Sequence, residues 1–242
     1  MQKIKIAHLY YDLLNLYGEN GNIRALKKFI EMQDVKCEIH FLSIGDTINF
    51  NDYDMFYMGM GTENSLLLVL KDIQKYKEDI KDAIDNGKFF LVTGNSIELF
   101  GEYLIDLNNK KYDCLNTFEY HTEWKDFRIV GSVTASSKLF KNYIIGFQNR
   151  CGQIYDIDKP LLKIKDGTGM NLKNNFEGIQ YKNFYGTYLL GPLLIRNPYL
   201  TNHIIKNLIH TKNKKYKFKI YNRIPEIKAY NTYLENFDIK NS

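Results

Sequence analysis

Apolar residues in the first hundred positions follow two rhythms. Short runs rich in apolar side chains, at 4–9, 37–44, 54–58 and 88–93, have the length and composition of strands, the last of them buried-looking. Between them, apolar residues recur every three or four positions: Ile23, Leu26 and Ile30; then Leu66, Val69, Leu70 and Ile73; then Ile80, Ala83 and Ile84. Each set lines one side of a helix, and Gly87 closes the last. Strand and helix in alternation predict βαβ units, and so an α/β chain with a mostly parallel central sheet and helices on both faces.

Glycine and asparagine mark the turns. Gly18-Glu19-Asn20-Gly21-Asn22 separates the first strand from its helix, and Gly59-Met60-Gly61 follows directly on the third strand. The carboxyl end of a strand is where open α/β sheets bind ligands. The fourth strand runs into Gly94-Asn95-Ser96 and then into Ile97, Leu99 and Phe100, which start a helix. Strand, tight turn and helix in that order form the scaffold of a nucleophile elbow. The second half is richer in strand patterns, at 127–133, 143–147, 178–181 and 187–190, and ends in a helix marked by Leu200, Ile204 and Leu208. We read residues 1–210 as one domain and 211–242 as a charged C-terminal tail that contains Pro225.

Charge changes this picture little. The formal charge of +5 comes from 33 basic and 28 acidic residues, and much of the excess sits in Lys212, Lys214, Lys215, Lys217 and Lys219, read as a solvated segment; no nucleic-acid partner is expected. Cys37, Cys114 and Cys151 are odd in number and scattered, which predicts reduced thiols rather than a disulfide or metal site. His8 and His40 lie in apolar strand patterns and read as satisfied structural residues, while His121, His203 and His210 show no ligand spacing, so neither metal nor cofactor is expected. No apolar run approaches the roughly 20 residues that span a bilayer. The expected location is cytoplasmic.

Three longer segments carry a resemblance. They are Leu9-Tyr10-Tyr11-Asp12-Leu13-Leu14-Asn15-Leu16-Tyr17-Gly18-Glu19-Asn20-Gly21-Asn22, then Gly146-Phe147-Gln148-Asn149, then Gly191-Pro192-Leu193-Leu194-Ile195-Arg196-Asn197-Pro198. In this order, over roughly 3–210, the chain resembles the cobyric acid synthase-like branch of class I glutamine amidotransferases, most of all the amidotransferase subunit of lipid II isoglutaminyl synthase. The resemblance implies a flavodoxin-like domain that hydrolyses glutamine and passes ammonia to an ATP-using partner. That partner is Mur ligase-like in the lipid II branch, where peptidoglycan is amidated, and another ATP-dependent ligase in the cobyric acid branch. The chemistry needs a thiolate nucleophile, a histidine that moves protons, and backbone N–H groups that hold the oxyanion.

Carried over residue by residue, the resemblance places the nucleophile at Gly94 and the general base at Leu190, so both catalytic groups are replaced. It places the oxyanion turn at Gly59-Met60-Gly61, with methionine where the family has its middle glycine, and assigns substrate binding to Arg128, Gly59 and Gly61. Ser96 reads as a capping residue, Cys151 as a small buried hydrophobe, and Glu98 and Glu63 as helix-surface carboxylates near a positive helix end. The expected function is a catalytically degenerate amidotransferase-like subunit serving a ligase partner. Two alternatives are a glutaminase that uses other residues and a module that binds glutamine or another small metabolite through Arg128 and the glycine turn.

Overall fold

A computed structural model of the protein describes residues 3–139, 141–220 and 224–236. Five strands form its parallel heart. In the order β2 (Lys36–Leu42), β1 (Lys3–Leu9), β3 (Met55–Met58), β4 (Phe89–Thr93) and β11 (Phe184–Thr187), every neighbouring pair is parallel. With β11 as the fifth parallel strand, this is the 2-1-3-4-5 order of flavodoxin-like folds.

Alternation along these strands explains why helices cover both faces. In β3, Phe56 and Met58 join one apolar layer while Met55 and Tyr57 join the other; Phe90 and Val92 in β4 part from Phe89 and Leu91 in the same way. The first layer is closed by α2 (Glu63–Ile73) and α3 (Lys77–Asp85), the second by α1 (Asn20–Glu31), the short α4 (Leu193–Arg196) and α5 (Pro198–Lys212). Stacking of Phe56 on Phe90, at 4.7 Å between centroids, ties neighbouring strands within a layer.

Beyond β11 the sheet turns antiparallel through β10 (Phe176–Tyr181), β9 (Pro160–Asp166) and β7 (His121–Ser136), with β8 (Ile144–Tyr155) paired to β7 and the short β5 (Tyr103–Ile105) and β6 (Lys111–Asp113) at the far end. The predicted strands at 127–133 and 143–147 are parts of the long β7–β8 hairpin. Between Trp124 and Ile129 of β7 the chain takes five steps against two from Gly152 to Arg150 of β8, so residues 125–128 bulge out and re-aim Arg128.

The strand predicted at 187–190 is displaced. Strand β11 ends at Thr187, and Leu190 keeps a single bridge to Phe147, because Glu177 accepts from the Thr187 hydroxyl and the Tyr188 N–H, both at 2.7 Å, and turns the chain away. In the tail, α6 (Ile224–Asn236) starts with Pro225 in its first turn. Its Tyr230 and Leu234 pack on Ile145, and Tyr230 donates to the Tyr143 carbonyl. Lys212 pairs with Asp54 at 2.6 Å and Lys219 with Asp34, whereas Lys214, Lys215 and Lys217 are exposed.

The three segments quoted above are locked together. A side chain at Gly21 would stand 2.3 Å from Pro192, the Asn22 side chain accepts from the Leu194 N–H at 2.9 Å, and Asn149 donates to the Tyr17 hydroxyl at 2.7 Å. Asn197 both accepts from the N–H of Ile145 and donates to its carbonyl. Loop, hairpin and Gly-Pro turn thus form one interlocked rim at the carboxyl end of the sheet.

Candidate functional site

Gly94 leaves β4 with φ +66°, the left-handed conformation of an elbow, and opens a 3-10 turn that runs to Phe100. The predicted helix is thus wound more tightly than an α-helix. A Cβ built on Gly94 would lie 2.4 Å from Met60 Cβ, 2.8 Å from Met60 Cγ and 3.0 Å from Leu190 Cδ2. Met60 and Leu190 are each 1% exposed. The structure therefore brings the nucleophile, oxyanion and base positions of the resemblance to one spot, and fills that spot with two aliphatic side chains.

The glycine turn is fastened to the elbow. Asn95 accepts from the Gly61 N–H at 3.2 Å and donates to the Gly61 carbonyl at 3.0 Å; Ser96 donates to the Gly59 carbonyl, and the Leu16 N–H donates to the Met60 carbonyl at 2.8 Å. An N–H that already has an acceptor is a poor oxyanion donor. The expectation that Ser96 caps a helix is corrected. Its fully buried hydroxyl is committed to the glycine turn because the tight winding aims it at that carbonyl.

Arg128 sits on the β7 bulge beside this turn. Its Nη1 meets Glu63 Oε1 at 2.7 Å, and Nε and Nη2 donate to the side chain and carbonyl of Asn149 at 2.7 and 3.0 Å. Glu63, first residue of α2, also accepts from the Cys151 thiol at 3.3 Å. Burial and this carboxylate raise the Cys151 pKa far above the ordinary thiol range, so the sulfur is protonated and a weak nucleophile. Glu63 is an acidic first-turn residue, as expected, but its carboxylate binds an arginine rather than standing free.

Glu98 is corrected more strongly. It is 1% exposed, not on a surface, because the 3-10 winding turns it under the β8 strand. Trp124 Nε1 donates to it at 2.7 Å and the Tyr188 hydroxyl at 3.0 Å. Arg150, also 1% exposed, stacks 4.0 Å over the Tyr188 ring and donates to the carbonyls of Gly152 and Gly169 and, at 3.3 Å, to Gln148. Burial pushes the carboxyls of Glu98 and Glu177 up to about 7, against the pull of their hydrogen bonds and of Arg150.

These values lie above the 4.5 of an unfolded glutamate, so the native state holds extra protons between about pH 4.5 and 7. Stability from each group is fully present below pH 4.5 and is lost as pH rises through 7, by about 3 kcal/mol per group. Urea denaturation at pH 5, 6, 7 and 8 should show this decline. Glu98→Gln should remove about half of it; an unchanged slope would mean that Glu98 does not titrate there.

A second buried carboxyl network underlies the rim. Glu19, fully buried, accepts from Tyr57 at 2.5 Å, from Thr93 and, at 3.3 Å, from Asn22, and burial raises its pKa. His8 departs from its expected role as a satisfied histidine. Neither ring nitrogen has a hydrogen-bond partner among the described residues, since aromatic rings of Tyr11, Phe41 and Tyr57 surround it, and burial lowers its pKa to about 4. His40 meets the Tyr53 hydroxyl at 3.2 Å. Among the described residues no three His, Cys, Asp or Glu side chains are grouped to hold a metal ion, and no helix is long and apolar enough to cross a membrane.

Asn95, Glu98, Arg150 and Glu177 were not singled out as interior polar groups by the sequence.

Comparison with known proteins accords with the frame. The chain is 30% identical over 229 residues to the lipid II isoglutaminyl synthase (glutamine-hydrolyzing) subunit GatD of Staphylococcus aureus (strain N315), which covers 95% of this chain and 94% of that protein. It is also 30% identical over 213 residues to the GatD subunit of Streptococcus pneumoniae (strain ATCC BAA-255 / R6), covering 87% of this chain and 82% of the relative. A crystal structure of a glutamine amidotransferase shares the fold at 9% identity, with a TM-score of 0.53 over 84% of this chain and 98% of that one. The CobB/CobQ-like glutamine amidotransferase domain matches residues 5–198, and with the relatives spanning nearly its whole length the chain belongs to that family.

Proposed function

We propose that this protein is a catalytically degenerate glutamine amidotransferase-like subunit of the cytoplasm. It keeps the family's frame and serves an ATP-dependent ligase partner, Mur ligase-like as in lipid II amidation or cobyric acid synthase-like, without hydrolysing glutamine itself. One observation carries the reading: residue 94 has no side chain, and the volume that a nucleophile would enter is held by Met60 and Leu190. The donors that would hold an oxyanion support it further, because Asn95 already occupies the Gly61 N–H.

The two other readings have less support. For a glutaminase using other residues, the nearby candidates are Ser96, whose hydroxyl is committed to Gly59, and Cys151, whose thiol is protonated beside Glu63. For a glutamine-binding module, Arg128 would have to release Glu63, a carboxylate that already sits where a ligand's carboxylate would go.

Co-expression with a Mur ligase-like subunit from the same source tests the partnership. A stable complex on size exclusion is expected. Separate elution of that subunit and of a cobyric acid synthase-like one would remove the docking half of the reading.

A further inference from the structure

The sheet has a free edge far from the elbow. Strand β2 is terminal in the strand order, paired on one side to β1 and unpaired on the other among the described residues. Natural edge strands are usually short, covered or densely charged. This one runs seven residues and carries apolar side chains on alternate positions, Cys37, Ile39 and Phe41, with Phe41 52% exposed.

A groove of about 520 Å³ follows that edge between β2 and α1. Ile23, Cys37, Ile39 and Phe41 give it an apolar floor, and Arg24 and Lys27, one turn apart on α1, form a basic wall. Arg24 and Lys27 enter no ion pair among the described residues. Of the acidic groups at the groove, Glu38 is neutralised by Lys3 and Lys36 at 2.5 and 2.9 Å, which leaves Glu31. Lys28 extends the positive side into the adjoining hollow of about 470 Å³.

An unpaired strand, apolar side chains at every second residue along one groove and a facing helix are the parts needed for strand addition, in which a peptide's backbone completes the sheet and its alternate side chains fill the groove. We propose that the β2–α1 groove binds an extended segment of a partner protein whose every second residue, the set that faces α1, is apolar and acidic by turns. Apolar positions enter the floor, and carboxylates meet Arg24 and Lys27. Charge complementarity selects this occupant over a second copy of the chain, whose own basic wall would face this one. Nucleic acid fits less well, since Glu31 interrupts the positive track of Arg24 and Lys27.

A fluorescein-labelled Val-Thr-Glu-Thr-Val-Thr-Glu peptide, which turns valine and glutamate to one face as a strand, is the probe, read by anisotropy on the full chain. It should bind at least about tenfold more tightly than Val-Thr-Lys-Thr-Val-Thr-Lys, and an Arg24→Glu, Lys27→Glu double variant, altered only at exposed positions, should lose about tenfold in affinity. At saturation, hydrogen exchange should slow across the amides of 36–42 in the native chain. Equal binding of the lysine peptide or of an oligothymidylate would overturn the proposal. So would indifference to the charge reversal, or binding without protection of 36–42, which would be surface adhesion rather than strand addition.

Discussion

A cysteine placed at position 94 should destabilise the fold by about 2 to 5 kcal/mol, although this is the residue that the family's chemistry asks for. Two costs combine. A Cβ in the left-handed region is disfavoured by about 1 to 2 kcal/mol, and overpacking a filled core typically costs 1 to 3 more. The second applies in full because the obstruction 2.4 Å away is Met60 Cβ, fixed to the backbone, and not the far end of a flexible chain. Thermal melting should drop by roughly 4 to 20 °C for a chain of this size. In a Met60→Gly background the same substitution should cost less, with a coupling of about 1 to 3 kcal/mol in a double-mutant cycle. Additive effects would mean that Met60 does not fill the nucleophile's space. For the same reason, restoring cysteine and histidine at 94 and 190 alone should give no glutaminase. The set must include Met60→Gly.

Arg150→Met should be comparably severe, at about 3 to 5 kcal/mol, from a site with no part in any catalytic motif. The guanidinium supplies three carbonyl or amide acceptors with their donors, stacks on Tyr188, and holds down the charge cost of Glu98 and Glu177. Its removal leaves two buried carboxyls with no cation to offset them. Their pKa values should rise further, so the loss of stability with pH should extend to higher pH than in the native chain. Arg150→Lys should not rescue, because a point charge cannot span the carbonyls of Gly152 and Gly169 in one plane. A variant as stable as the native chain would show the cluster to be incidental.

The parallel half of the fold was legible because burial on both faces leaves unbroken apolar runs such as 89–92, and the helices between them keep a 3.6-residue rhythm. The antiparallel half was read in fragments. Its strands are half exposed, so polar residues interrupt them, and the bulge at 125–128 breaks alternation just where Arg128 is presented. The positions of the elbow and glycine turn could be read from their glycines. What fills them could not: that Met60 lies against Gly94 and Leu190, or that Asn95 grips Gly61, depends on three chain segments meeting in space. Glu98 was misread for a similar reason, since a glutamate near a turn is usually on the surface, and only the placement of Trp124, Tyr188 and Arg150 makes its burial tolerable.

Degeneracy is the claim on which the functional account turns, and ammonia release from glutamine by the purified chain, alone and with its co-expressed ligase-like partner, tests it most directly. The account predicts no glutamine-dependent ammonia above buffer in either case, with activity emerging in a Met60→Gly, Gly94→Cys, Leu190→His variant that remains folded. Steady turnover by the native chain would contradict it.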